Sequence, residues 1–174
     1  TLQEYIDKIS VSARHIERQI AFTRDYQDIG VLSPDWQDVA QLVIQAEQSL
    51  DVSPIQIIRD ISGVEIYADP LVGKVFFNLI DNAKRYGETI TWIRFSGYTQ
   101  AGEYVIVCED NGAGIRDEHK TKIFNREYYT HTGFGLNLSR EILDITDITI
   151  RETGTYGKGA RFEIRVPAGR WHNT

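Results

Sequence analysis

Residues 69–87 run Asp69-Pro70-Leu71-Val72-Gly73-Lys74-Val75-Phe76-Phe77-Asn78-Leu79-Ile80-Asp81-Asn82-Ala83-Lys84-Arg85-Tyr86-Gly87. An Asp followed by Pro is a capping residue ahead of the first helical position, and Gly87 is a natural stop. One face of the predicted helix carries Leu71, Val75, Asn78, Asn82 and Tyr86, and another carries Val72, Phe76, Ile80 and Ala83. A helix apolar nearly all round is expected to be buried. Asn78 and Asn82, one turn apart, share a stripe with core residues, and an unpaired buried amide costs about 1–3 kcal/mol. Each must therefore meet a partner or a cavity. Arg85 and Tyr86 neighbour Asn82 on the helix surface. An amide oxygen, a cation and an aromatic edge at one helix end suit a metal-bound phosphate; a hydrogen-bonded pair of core asparagines is the alternative.

Upstream, Ser33-Pro34-Asp35 repeats the cap-then-proline signal and predicts a helix burying Trp36, Val39, Val43, Ala46 and Leu50. Between the helices, 55–61 and 64–68 are strand-like and joined at Ser62-Gly63. Strands follow over 89–96 and 104–109, then a loop-rich stretch from 111 to 132. A helix near 135–145 precedes a closing hairpin of 148–152 and 160–166. Two or more strand pairs are joined too tightly to be parallel. The pattern predicts an α+β fold, a two-layer α/β sandwich with a mixed, mostly antiparallel sheet, rather than a doubly wound parallel one. Residues 1–30 stand apart: Leu2, Ile6, Ile9, Ala13, Ile16 and Ile20 follow the spacing of a coiled-coil seam, and Gly30 ends the segment. Such a helix calls for a partner helix, on another chain or before Thr1.

The chain has 174 residues, 19 basic and 25 acidic, with a net charge of −6. One domain of about 31–174 plus the leading helix fits that length. Its apolar runs fall far short of the roughly 20 residues that span a bilayer. The single cysteine, Cys108, excludes an internal disulfide framework and suits a reducing cytosol. The acidic balance argues against nucleic acid as a partner. An acidic chain binding an anion must do so with backbone N–H groups, a metal or a few placed cations. A chain that opens at Thr1 and holds no methionine is expected to be a piece of something longer.

Three further stretches carry chemistry. Asp110-Asn111-Gly112-Ala113-Gly114-Ile115 follows an apolar strand. A carboxylate there can accept from an amino group while glycines let backbone approach a flat ligand; a capped tight turn is the alternative. His131-Thr132-Gly133-Phe134-Gly135-Leu136 opens a helix whose N–H groups would face an anion, or forms a merely flexible entry. It is neither a Walker loop nor a dinucleotide fingerprint. Gly157-Lys158-Gly159-Ala160-Arg161-Phe162 alone is a hairpin turn.

In their order and spacing these stretches resemble one family. Asn78 to Tyr86 is similar to the asparagine box of the sensor histidine kinases, and Asp110-x-Gly112-x-Gly114-Ile115, Gly133-x-Gly135-Leu136 and Gly159-Ala160-Arg161-Phe162 resemble its glycine boxes. The resemblance covers roughly residues 35 to 167. It implies the Bergerat-type ATP-binding fold shared with type II topoisomerases, ninety-kilodalton heat-shock chaperones and mismatch-repair ATPases. It further implies that Asn82 ligates Mg²⁺, that Asp110 pairs with the adenine amino group beside Gly112 and Gly114, and that Arg85 lies near the phosphates. Tyr86 would lie near the adenine, and Thr132, Gly133, Phe134, Gly135 and Leu136 under the triphosphate. Asn78 stands where hydrolysing branches carry a glutamate base, and an amide has no comparable basicity. Phe124 keeps one of two expected lid phenylalanines, Glu127 replaces the other, and Ala160 stands where Thr is common.

The resemblance implies transfer of the ATP γ-phosphoryl group to a histidine and relay to a response regulator. It implies a homodimer through a helical hairpin, of which residues 1–30 would be the second helix and whose acceptor histidine would lie upstream. The resemblance implies a cytoplasmic fragment and leaves room for membrane association of the full-length protein. His15 lacks the acidic neighbour the family places after its acceptor, and His119 lies in a charged, solvated stretch. An anti-sigma-type serine kinase and a nucleotide-sensing module without phosphotransfer are the alternatives.

Overall fold

The computed structural model describes residues 1–126 and 134–174. The order is α1 (Leu2–Asp28), β1 (Asp35–Asp38), α2 (Val39–Gln48), β2 (Gln56–Asp60), β3 (Val64–Ala68), α3 (Gly73–Tyr86), β4 (Trp92–Gln100), β5 (Glu103–Asp110), α4 (Phe134–Asp144), β6 (Thr149–Glu152), β7 (Arg161–Val166) and β8 (Trp171–Asn173). Short 3-10 turns occupy Pro70–Val72, Asp117–His119 and Lys122–Phe124.

Five strands form one sheet in the order β2-β4-β5-β7-β6, in which only β2 and β4 run parallel. The α+β, mostly antiparallel architecture is the expected one. Its β4–β5 hairpin turns through Ala101 and Gly102, both at positive φ, which matches the twist of the flanking strands. One sheet face packs on helices: Val75, Phe76, Leu79 and Ile80 of α3 are buried with Ile93, Phe95, Ile106 and Ile164, and the Phe76 and Phe95 rings lie 6.1 Å apart. Both α2 and α4 pack against α3. The other sheet face is a lattice of charges. Arg165 bridges Glu163 at 2.9 Å and Glu103 at 3.2 Å, and Arg161 also pairs with Glu163. Burial pushes the Glu163 carboxyl up, but the two guanidiniums more than offset that and leave it below its ordinary value.

The departures from the sequence expectations have local causes. Ser33-Pro34-Asp35 opens not a helix but β1, which pairs with β3. The true cap is Asp38, whose Oδ1 accepts from the Gln41 N–H at 2.8 Å, so the helix begins at Val39. Trp36 is consequently 39% exposed on a strand and stacks on His172. Secondly, β2 and β3 do not pair with each other. The three residues between them carry the chain from the five-stranded sheet to a second sheet, β1-β3-β8, anchored by buried Ile61 and Val64. The third strand of that sheet, β8, carried no sequence signal. The 69–87 helix also starts late, at Gly73, after the 3-10 turn that Asp69 caps.

α1 is helical as expected, and Leu2, Ile9, Ile16 and Ile20 of its seam are each more than half exposed. It meets the domain through Phe22, its one buried residue, and through Asp25, 3.3 Å from Lys74. Gly30 at φ +72 ends the segment and donates its N–H to Asp69 Oδ2 at 2.9 Å, while Asp69 Oδ1 accepts from Leu71 at 2.8 Å. Asp69 is 1% exposed and ties the exit of α1 to the entry of α3. Among the described residues no helix is long and apolar enough to cross a membrane. Asp69→Ala orphans both N–H groups and should cost about 2 kcal/mol in a urea titration; an unchanged midpoint would show that the tie contributes nothing.

Candidate functional site

The C-terminal end of α3, the end of β5, the start of β7 and the first turn of α4 converge on a cavity of about 250 Å³. Its polar floor is Asp110, the last residue of β5, 8% exposed. Asp110 Oδ1 accepts from the N–H of Gly112 at 2.8 Å and of Ala160 at 3.2 Å. Burial raises the Asp110 carboxyl above its ordinary value; the two N–H groups pull it down, and the nearby Glu152 charge pushes it up again. Apolar walls come from Ile115, Ile123, Leu136 and Phe162.

The glycines of this region serve different ends. Gly159 sits at φ +116, and a Cβ there would fall 1.8 Å from the Asp110 carbonyl oxygen. Gly112 packs on the backbone of Gly87, so it seats the loop on the end of α3 and does not line the cavity. Gly114 and Ala160 do line it. Asn111 turns away and accepts from the N–H groups of Thr91 and Trp92 at 2.9 and 3.1 Å.

Asn82 lines this cavity and also a second one of about 310 Å³, which opens toward α1. Asn78, Arg85 and Gly135 line only the second. The two asparagines therefore separate in role. Asn78 Nδ2 donates to the Gly135 carbonyl at 2.9 Å and to Ser139 Oγ at 3.1 Å, clamping the first turn of α4. Asn82 stands where the cavities meet. Arg85 Nε pairs with Asp81 at 2.8 Å. Tyr86 lines the first cavity and is 45% exposed. Thr132 and Gly133 lie outside the described residues. Phe134 begins α4, Gly135 follows, and Leu136 reaches the first cavity. Among the described residues no three His, Cys, Asp or Glu side chains gather as a metal cage. A single amide oxygen fits Mg²⁺, an ion that binds few protein ligands and completes its shell with waters and phosphates.

Sequence reasoning missed part of the wall. Arg116, His119 and Tyr156 line the first cavity, with the Arg116 guanidinium 4.6 Å over the Tyr156 ring. Gly157 donates to the Ala113 carbonyl at 2.7 Å, so the 113–116 loop and the β6–β7 turn are zipped together. The 116–118 stretch is exposed as expected, while His119 at its end is half-buried. This wall was not legible in the sequence because Arg116 and Tyr156 lie 40 residues apart. His15 lines the second cavity and sits 3.2 Å from Gln19 Nε2.

Among curated proteins, a histidine kinase of Formosa agariphila is 34% identical over 122 residues, covering 63% of this chain and 9% of that protein. The sensor protein RprX of Bacteroides fragilis is 33% identical over 114 residues, covering 59% of this chain and 22% of that protein. The chain thus spans a minor part of the relatives it matches. Among solved structures, full-length ShkA superposes with a TM-score of 0.75 at 20% identity, over 99% of this chain and 39% of that one, a likeness of fold. Residues 68–170, which hold Asn82, Asp110 and Gly159 alike, match the family described as histidine kinase-, DNA gyrase B- and HSP90-like ATPases, and the chain belongs to that family.

Proposed function

We propose that residues 31–174 form the ATP-binding catalytic domain of a sensor histidine kinase and residues 1–30 the second helix of its dimerisation hairpin. The observation that carries this reading is Asp110, a buried carboxylate with one oxygen held by two backbone N–H groups and the other left to accept from an exocyclic amino group. Ile115, Leu136 and Phe162, which line the first cavity, would flank adenine, with Tyr86 at the rim. The phosphates would run past Asn82 toward the second cavity, which Arg85 and Gly135 also line. The ShkA neighbour was solved with AMPPNP, which is in keeping with such a ligand.

Asn82 would hold Mg²⁺ through its amide oxygen, and the bound ion would neutralise charge on the transferring phosphoryl group. The rest of the work is positioning. Asn78 offers no base for water, and its amide is engaged with Gly135 and Ser139. That favours transfer to a protein acceptor over hydrolysis. The acceptor is the imidazole of a histidine on the first hairpin helix, outside residues 1–174, from which a response regulator takes the phosphoryl group. The exposed seam of α1 serves the homodimer.

Thermal shift tests the site. Mg²⁺–ADP at about 100 times its dissociation constant should add roughly 2.7 kcal/mol of stability. Asn82→Ala should remove the magnesium-dependent part of that gain and Gly159→Ala all of it; equal melting with and without millimolar nucleotide would end the assignment. Transfer is tested by mixing the chain, Mg²⁺–ATP and a separate acceptor hairpin. Acid-labile phosphate should appear on the hairpin, and His15→Gln should not reduce it. No label on the hairpin would favour a sensing module, and label on serine an anti-sigma-type kinase.

Acid should act on Asp110 in two opposed ways. Its folded-state carboxyl binds a proton more tightly than the unfolded chain does. The stability linked to that proton is complete below the ordinary value near 4 and is lost as pH rises through the raised one. Nucleotide binding needs the ionised form and should weaken in the same window as pH falls. Calorimetric titrations across that range should give a slope that Asp110→Asn lacks; parallel pH profiles would remove Asp110 from base recognition.

A further inference from the structure

Glu152, the last residue of β6, has a side chain with no exposure to solvent. Its Oε1 accepts from the N–H groups of Gly154 and Arg161, both at 3.0 Å, which shapes the turn between β6 and β7. Its Oε2 lies 3.1 Å from Lys120 Nζ. A fully buried carboxylate is costly without a counter-charge, and Lys120 supplies it. The same ammonium donates to the Gly154 carbonyl and pairs with Asp117 at 3.2 Å. Lys120 itself lies between the two 3-10 turns, one residue after His119 and three before Ile123, both of which line the first cavity. One cation thus joins a segment that lines the first cavity to the turn whose far end, Ala160, holds Asp110.

We propose that Lys120 is a positioning residue for base recognition: bound to Glu152 and Gly154, it straps the 117–124 segment to the β6–β7 turn and so closes the wall that orients a purine against Asp110. The inference rests on the nucleotide reading above and assigns to the ammonium a task beyond stabilising Glu152. Neither Lys120 nor Glu152 lines the cavity, so the effect passes through His119, Ile123 and Ala160. The Arg116–Tyr156 stack and the Gly157–Ala113 hydrogen bond close the same seam farther out.

The test compares ADP with GDP, each with Mg²⁺, by isothermal titration calorimetry on the whole chain. Wild type should prefer ADP, because adenine carries an amino group at the ring position where guanine carries a carbonyl oxygen. Lys120→Met leaves Glu152 uncompensated and should lower the melting temperature, so the informative protein is Lys120→Met/Glu152→Gln, which removes both charges. That double variant should regain stability yet lose at least tenfold in the ADP-to-GDP preference, while Lys120→Arg keeps it. Should the double variant lack a cooperative melt, Lys120→Gln takes the same comparison. A wild-type preference in the double variant or in Lys120→Gln would overturn the proposal and leave Lys120 as a counter-charge alone. If wild type binds neither nucleotide, it is the nucleotide reading that fails.

Discussion

The carboxylate at the end of β5 can hold its position only because the chain entering β7 passes within touching distance of the same residue's carbonyl. No side chain fits there, and Gly159 has none. That approach brings the Ala160 N–H to Asp110 Oδ1, where it joins the Gly112 N–H from the chain's own next turn. Two donors from segments 48 residues apart in sequence, 112 and 160, thus fix one oxygen. A freely rotating aspartate would have to be ordered at each binding event, with an entropic cost of about 1 kcal/mol. Here the ordering is done on folding. The same contacts keep the acid buried, which opposes its ionisation, and the backbone donors partly offset that.

The sheet supplies the rigidity on which this depends. α3 lies across one face with Phe76 against Phe95, and its last turn carries Asn82 and Tyr86 to the cavity. Among the described residues no helix covers the opposite face. Val105 and Val107 are nonetheless buried there, beneath Arg161, Glu163 and Arg165 from the neighbouring strand. The aliphatic stems of such residues shield apolar surface while their charged ends stay wet. One side of the sheet can therefore face water without exposing a hydrophobic patch, and the strand ends stay fixed where Asp110 and Ala160 must meet.

What the sequence made legible is what its local chemistry determines. The apolar stripes of α3 place two asparagines a turn apart, and the glycines around Asp110 mark close backbone approach before any coordinates exist. The misreadings come from competition between signals of equal local strength. Ser33-Pro34-Asp35 and Asp38 are both good caps, and only the pairing of Trp36 with Tyr67, 31 residues on, decides in favour of the second. The short link from β2 to β3 looks like a hairpin until both find partners in different sheets. Site residues divide in the same way. Asp110 and Asn82 belong to recognisable strings, whereas Arg116, His119 and Tyr156 become neighbours only when two loops zip together. No window of sequence contains both halves of that wall.

α1 shows how two surfaces share one helix. At about 100° per residue, His15, Arg18, Phe22 and Asp25 cluster on one side, while Leu2, Ile6, Ile9, Ala13, Ile16 and Ile20 cluster roughly opposite. The first set faces the domain and lines the second cavity or packs beside it. The second set is left in solvent, so the exposed apolar stripe is the consequence of docking by the opposite side, not a failure to dock. A helix held in this way can carry another helix on its seam without leaving the domain. The cavity between α1 and α3 is also where Asn82 and Arg85 look outward. Any rotation of α1 about its axis would therefore alter the seam and the wall of the second cavity together, because both are faces of one rigid cylinder.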